Sequence, residues 1–316
     1  MAGSDVAVSL RGLTKSYGGL VAVNDLSLDV LRGEVFGFLG PNGAGKTTTI
    51  SMICGLLKID SGEVLLNGRR VASDFRDHKR MIGLCPQELV IWESLTCQEQ
   101  IEFVGCVYDV PRREARRRSR DLLDRLGLTE RAHHLAKTLS GGMKRRLNIA
   151  LALVQEPEIL ILDEPQAGLD PQSRILVREF IKSLARKSTV ILTTHEMDEA
   201  DRLADRIAII DHGKLLVLDT SENLKNHIGE GDILEVQLSR DAPELVAWLR
   251  TELAEEVKRV TCQNGALRLV GTDLLRVLPL LMERLRSSEI QVVDYAVRKK
   301  TLEDVFIALT GRRLRE

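Results

Sequence analysis

The stretch Gly40-Pro41-Asn42-Gly43-Ala44-Gly45-Lys46-Thr47 combines glycines at fixed spacing with a lysine and a hydroxyl. Gly40 and Gly45 let the backbone curl until its N–H groups face inward. Such a nest, opening into a helix N-terminus, binds phosphate through fixed positive dipoles. Lys46 adds a mobile charge for β- and γ-phosphates, and Thr47 supplies an oxygen for Mg²⁺. The loop, with Thr48 beside it, is the first candidate nucleotide site. A second candidate lies downstream, where Ile159-Leu160-Ile161-Leu162 runs into Asp163-Glu164. An isolated Asp-Glu reads as an acidic strand cap. Following a phosphate loop, it reads as one carboxylate that holds Mg²⁺ through water and a second that positions or deprotonates an attacking water.

Both candidates need strands to carry them. Residues 6–10 and 21–39 run apolar or alternate, and Val35 to Leu39 is a short apolar run ending in glycine. A helical pattern follows from Lys46 to about Leu57, so the loop sits between strand and helix. Residues 63–68 read as a strand and turn, and 98–153 read mainly as helices inserted over about 88–157. Residues 159–162 and 189–193 read as buried strands, and 207–218 as a hairpin turning at His212-Gly213. Strands alternating with helices predict an α/β core with a partly parallel sheet, whose ligands gather at the strands' C-terminal ends. Near 220–232 the composition turns to Ser, Glu, Asn, Lys and Gly. Beyond it come a strand at 233–239, a helix at 243–256, a hairpin at 257–270 turning on Asn264-Gly265, a helix at 273–286, a strand at 290–298 and a final helix at 301–310. That βαββαβ order predicts a small ferredoxin-like α+β domain, with domains at 1–222 and 223–316.

Composition narrows the function classes. The 316 residues carry a formal net charge of -1, which favours no general attraction to nucleic acid. No apolar run approaches the roughly 18–20 residues that span a bilayer. The N-terminal Met1-Ala2-Gly3-Ser4-Asp5-Val6 has no basic segment before an apolar run, so no secretory signal is expected. The five cysteines are odd in number and lack metal-site spacing, which fits reduced thiols. The arginine run from Arg112 to Arg120 reads as a solvated helix face, with phospholipid headgroups the next possibility.

Six elements occur together and in order: Tyr17, Gly40–Thr47, Gln87, Leu139-Ser140-Gly141-Gly142-Met143, Asp163-Glu164 and His195. Over residues 6–220 this resembles the nucleotide-binding domain of the ATP-binding cassette (ABC) family, a P-loop NTPase fold with a helical insertion. The resemblance implies that Tyr17 stacks on adenine and that Thr47, Gln87 and Asp163 surround Mg²⁺. Glu164 would be the catalytic base, with His195 holding its geometry at the γ-phosphate. Ser140, Gly141 and Gly142 would bind the γ-phosphate held by an opposite subunit. Asp170 would lie at the seam between the two. Three positions depart from the family pattern. Met143 stands where glutamine is common, Gln166 where threonine is more frequent, and Lys300 where proline usually precedes Thr301.

The segment Lys300 to Gly311, and Thr194-His195-Glu196-Met197-Asp198-Glu199-Ala200, look like bacterial drug and lipid exporter ATPases of the daunorubicin-resistance type. That implies an ATP-hydrolysing subunit, acting as a pair (a homodimer of this chain) on separate membrane-spanning permease subunits. It would sit at the cytoplasmic face of the membrane through the permease, using ATP and Mg²⁺, with no specific nucleic acid expected. The other classes are a soluble ABC ATPase acting on nucleic acid or ribosomes, and a nucleotide-dependent regulatory module.

Overall fold

The computed structural model describes residues 5–71, 80–227, 231–288 and 290–311. Residues 1–4 of the N-terminal segment read for a signal, and residues 228–230 of the expected break, lie outside the described residues. Two compact units divide after Thr220.

The first unit runs β1 (Val6–Tyr17), β2 (Leu20–Leu31), β3 (Val35–Leu39), α1 (Lys46–Ile53), β4 (Ser61–Leu66), β5 (Arg69–Arg70), β6 (Ile82–Cys85), α2 (Cys97–Val107), α3 (Arg112–Arg125), α4 (Gly141–Leu153), β7 (Ile159–Asp163), α5 (Pro171–Leu184), β8 (Thr189–Thr194), α6 (Met197–Leu203), β9 (Arg206–Asp211) and β10 (Lys214–Asp219). Strands β2, β1, β4 and β5 form an antiparallel sheet, and the others form a six-stranded sheet ordered β10-β9-β3-β8-β7-β6. In the latter, β9, β3, β8, β7 and β6 are parallel neighbours, and β10 is antiparallel to β9.

The parallel strands are buried on both faces, so their central residues run apolar without alternation. Successive residues nevertheless serve different cores. Leu160 and Leu162 of β7, with Val190 and Leu192 of β8, join the helices of the insertion and α5. Ile159, Ile161 and Ile191, with Phe36 and Phe38, pack towards α1 and the antiparallel sheet. Each such side chain contributes about 1.5–3 kcal/mol on burial, so both cores fix the strand register.

Several boundaries differ from the sequence reading. The helix expected to reach Leu57 ends at Ile53, because Gly55 takes φ 64° and supplies the left-handed residue that closes a helix. The strand expected over 6–10 continues to Tyr17 through bulges, held by pairing with β2 on one side and β4 on the other. Strand β6 was not foreseen, since four residues carry too little pattern to distinguish from loop. The arginine run lies on α3 and is partly folded back on the protein: Arg117 and Arg118 both bond Glu114, and Arg118 also reaches Glu156.

The second unit comprises α7 (Ser221–His227), β11 (Asp232–Leu238), α8 (Pro243–Glu252), β12 (Val257–Gln263), β13 (Ala266–Gly271), α9 (Leu274–Ser287), β14 (Val292–Arg298) and α10 (Leu302–Thr310). Where the composition suggested only a break, α7 forms around a fully buried Leu224. The sheet is antiparallel and ordered β12-β13-β11-β14. Leu234, Val236 and Leu269 of the sheet pack with Leu245, Leu249, Val277 and Leu281 of α8 and α9. Asn264 and Gly265 both take positive φ, as a tight hairpin between twisted strands requires. Lys300 is buried, and its ammonium donates to the Lys225 carbonyl at 3.4 Å.

Helix α10 is fastened by one carboxylate. Asp304, 3% exposed, closes a capping box with Thr301. It also accepts from Arg298 Nη1 and Nη2 at 2.7 and 2.9 Å, and from Arg268. Burial pushes the Asp304 pKa up, but the bonds from Arg298 and Thr301 outweigh it and hold the carboxyl below its ordinary value. Stability from such a group is present above the unfolded pKa of about 3.9 and is lost as pH falls through the lower folded value. Asp304→Asn is expected to cost roughly 2–4 kcal/mol near neutral pH. The melting difference from the parent should shrink below about pH 4. Thermal melts from pH 3 to pH 7 check both, and an unchanged difference at low pH would rule out the ionised clamp.

Candidate active site

Four parallel strands deliver the predicted residues to one edge of the sheet. The phosphate loop follows β3, Gln87 follows β6, Asp163 and Glu164 close β7, and His195 follows β8. Pairing sets the strand ends level, with Leu39 opposite Thr194 and Asp163 opposite Thr193.

Glycine is required in the loop for space as well as for backbone angle. A Cβ on Gly40 would lie 2.3 Å from the Ile210 carbonyl oxygen. On Gly45, at φ 100°, it would lie 2.4 Å from that of Ala22. The loop is thus packed against β9 and β2. The Gly213 N–H donates to the Ala44 carbonyl at 3.0 Å, so the β9–β10 turn supports it from behind. Sequence reading took Gly213 only as a hairpin residue. Asn42, Gly43 and Thr47 face solvent, while Thr48 is half-buried. Tyr17, 48% exposed, ends β1 on the hairpin whose β2 strand holds Ala22.

Lys46 is 7% exposed, and its ammonium donates to the carbonyls of Gly40 at 2.7 Å and Pro41 at 3.0 Å. It lies 4.0 Å from Glu164 Oε1. Burial lowers its pKa, against the charges of Glu164 and Asp163, which raise it. Thr47 Oγ1 donates to Asp163 Oδ2 at 3.1 Å. The pair offers hard oxygen donors side by side, a set that fits Mg²⁺.

Glu164 is 5% exposed and takes φ 52°, unusual for a residue with a side chain. Its carboxylate meets His195 Nδ1 at 2.8 Å through Oε2 and 3.0 Å through Oε1. Beneath it, the Thr193 hydroxyl accepts from the Glu164 N–H at 3.1 Å and donates to Asp163 Oδ1. One hydroxyl therefore orients both acids. Further back, Thr194 Oγ1 donates to Glu199 at 2.5 Å and accepts from the Glu196 N–H at 2.9 Å, which shapes the turn carrying His195. Burial, opposed by the Thr194 bond and reinforced by Glu196 and Glu164, pushes the Glu199 pKa up to about 7.

The remaining predicted residues are placed differently. Gln87 is exposed, and its backbone carbonyl is held by Arg145 at 2.9 Å. Among the described residues its side chain makes no hydrogen bond to Thr47 or Asp163. Ser140 caps α4 by accepting from the Met143 N–H at 3.3 Å, and Gly141 next to it is open to solvent. A Cβ on Gly142 would lie 2.7 Å from Ser173 Oγ, so this helix start packs on the start of α5, which Asp170 caps. Among the described residues no hydrogen bond or ion pair joins Ser140, Gly141 or Gly142 to the phosphate loop. Met143 packs its thioether against the helical core where a glutamine would carry an amide. Gln166 is buried with its amide nitrogen unpartnered among the described residues, and nothing in the structure explains it.

Sequence reading missed two contributors. Thr193 was seen only as part of a strand. Arg145 was not singled out, although a cation at the head of the mainly apolar stretch Leu147–Leu153 of α4 signals burial that needs partners. A buried carboxylate oriented by imidazole, beside a phosphate nest and two metal-compatible oxygens, is equipped to direct water at a phosphoryl group.

Comparison with known proteins agrees with this chemistry. The sequence profile of the family described as ABC transporter matches residues 23–167. The linearmycin resistance ATP-binding protein LnrL of Bacillus subtilis (strain 168) is 38% identical over 97% of this chain and 99% of its own length. The daunorubicin resistance ATP-binding protein DrrA3 of Streptomyces coeruleorubidus is 38% identical over 99% of both. A solved structure described as the ATP binding subunit of an ABC transporter superposes on 71% of this chain and 93% of its own, with TM-score 0.65 and 30% identity.

Thr193→Val keeps the shape and removes the hydroxyl that orients both acids. Turnover of nucleoside triphosphate is expected to fall about tenfold to a hundredfold, with nucleotide affinity changed less than about threefold. Steady-state kinetics with an equilibrium binding titration decide it, and parental turnover would remove Thr193 from the account.

Proposed function

This chain belongs to the ABC transporter family, and from that premise we propose that it is the ATP-hydrolysing subunit of an exporter whose membrane-spanning permease is a separate chain. The observation that carries the reading is similarity to drug-resistance ATP-binding proteins over almost the whole chain, second unit included. No helix among the described residues is long and apolar enough to cross a membrane, which accords with a separate permease. The soluble nucleic-acid class and the regulatory class find no support in these relatives.

In this reading the loop Gly40–Thr47 with Thr48 cradles the phosphates, and Tyr17 stacks on the adenine. Thr47, Asp163 and Gln87 would hold Mg²⁺. Bound there, the ion would neutralise charge on the β- and γ-phosphates. Glu164 receives a proton from, or orients, the attacking water, and His195 holds that carboxylate 2.8 Å away. Ser140 and Gly141 at the start of α4 are exposed, and among the described residues they make no hydrogen bond to the phosphate loop of the same chain. In this reading Ser140, Gly141 and Gly142 serve a second copy, so that two chains enclose two ATP molecules. ATP favours the closed pair to the extent that it binds it better than the open one.

A groove of about 880 Å³ opens beside Gln87, lined by Leu84, Pro86, Val90, Trp92, Val104 and Val107. Trp92, Val90 and Val107 remain exposed at its mouth, an apolar surface of the kind that receives a partner's helix. We assign it to the permease, and in this reading the chain sits on the cytoplasmic face of the membrane. Residues 1–222 make the cassette in this reading. Residues 223–316 make a ferredoxin-like accessory domain, supported by the β11-α8-β12-β13-α9-β14 order and the β12-β13-β11-β14 sheet.

Affinity capture of the tagged chain from native membranes tests the transport assignment. A polytopic membrane protein at matching stoichiometry is expected, and recovery of ribosomes or nucleic acid alone would overturn it. For the catalytic assignment, Glu164→Gln is expected to lower ATP turnover at least about a hundredfold while ATP drives a stable dimer. Sedimentation with and without ATP, together with phosphate release, reads both. Unchanged turnover would reject Glu164 as the base.

A further inference from the structure

Helix α4 is buried on every side from Arg145 to Leu153. A guanidinium 3% exposed in such surroundings must find acceptors, because an unpaired buried charge is strongly unfavourable. Arg145 finds five, all of them main-chain carbonyls. Nη1 donates to Pro86 at 2.7 Å and Gln87 at 2.9 Å. Nη2 donates to Glu164 at 2.6 Å and also to Asp163, and Nε donates to Pro165 at 3.2 Å. Three consecutive carbonyls thus converge on one planar group at the residue whose φ of 52° needs its surroundings to hold it.

We propose that Arg145 is a positioning residue that ties the Gln87 segment and the helix begun by Ser140 to the backbone beneath Glu164. A phosphate that moves the start of α4 then moves the turn that aims the carboxylate. Since the phosphate at Ser140 belongs to the opposite chain, occupancy of one site sets the catalytic geometry of the other. This coupling rests on the paired arrangement proposed above. Lysine cannot substitute, because its single nitrogen reaches one side of the fork and leaves the other carbonyls unbridged.

Full-length Arg145→Lys and Arg145→Gln are compared with the parent, alone and combined with Glu164→Gln. Arg145→Lys is expected to stay folded but to melt about 5–15 °C below the parent, since several buried carbonyls lose their donor. Combined with Glu164→Gln, it should still dimerise with ATP. Its KM for ATP should change less than about threefold while kcat falls about tenfold to a hundredfold and the Hill coefficient drops to one. Parental kcat and Hill coefficient overturn the proposal, as does a kcat loss no larger than the loss of folded protein. If Arg145→Lys does not fold, Arg145→Gln is judged by the same criteria, and failure of both to fold makes Arg145 a folding residue and overturns the role. If Glu164→Gln alone does not dimerise with ATP, the paired arrangement falls, and the coupling between sites falls with it. The link to Glu164 within one chain is then decided by kcat against KM.

Discussion

Parallel strands whose ends are out of register would scatter their loops along the sheet. Here Leu39 stands opposite Thr194 and Asp163 opposite Thr193, so the loops after β3, β7 and β8 open at one level. The register is held because β7 and β8 bury side chains on both faces, in two separate cores. A slip of one residue would exchange the two sets of apolar side chains and put the acids on the wrong face. Phosphate nest, metal-compatible oxygens and carboxylate meet because hydrophobic packing allows one alignment.

That edge concentrates charge where water is scarce. Lys46, Asp163, Glu164, Arg145 and Glu199 are all largely buried. Each is tolerated through specific partners: carbonyls for Lys46 and Arg145, hydroxyls of Thr193 and Thr194 for Asp163 and Glu199, imidazole for Glu164. Hydrogen bonds in such a region are stronger than in water and restrict motion. The same network that makes burial tolerable therefore also holds the side chains of Lys46, Asp163 and Glu164 in fixed orientations at the sheet edge.

The second unit follows a different physical plan. Its antiparallel sheet has one face covered by α8 and α9 through aliphatic contacts. Helix α10 buries Leu302, Val305 and Phe306 and is tied to its sheet as well by the ionic clamp of Asp304 with Arg268 and Arg298. The Lys300-to-Gly311 segment noticed in the sequence thus carries an anchored helix, with the capping box at one end and Gly311 at φ 74° at the other.

The sequence by itself determined the glycine-rich loop between strand and helix, the acidic pair after an apolar run, and the cassette order of the remaining motifs. These are local patterns: glycine spacing, strand-to-helix switches and turn dipeptides depend on near neighbours. The strand and helix order of the second unit from β11 onward was legible as well. The sequence did not reveal β6 or the helix around Leu224, because four and seven residues carry too little periodicity against tertiary packing, nor the early end of α1 at Gly55. Nor did it reveal Thr193 and Arg145 as parts of the site. Their partners lie from 18 to 59 residues away. Only the packing of β8 against β7, and of α4 against both Gln87 and Glu164, decides where a lone hydroxyl and a buried guanidinium point. Tertiary structure likewise decided that Met143 serves the core and that Gly213 supports the phosphate loop, since each meets a surface formed by residues remote in the chain.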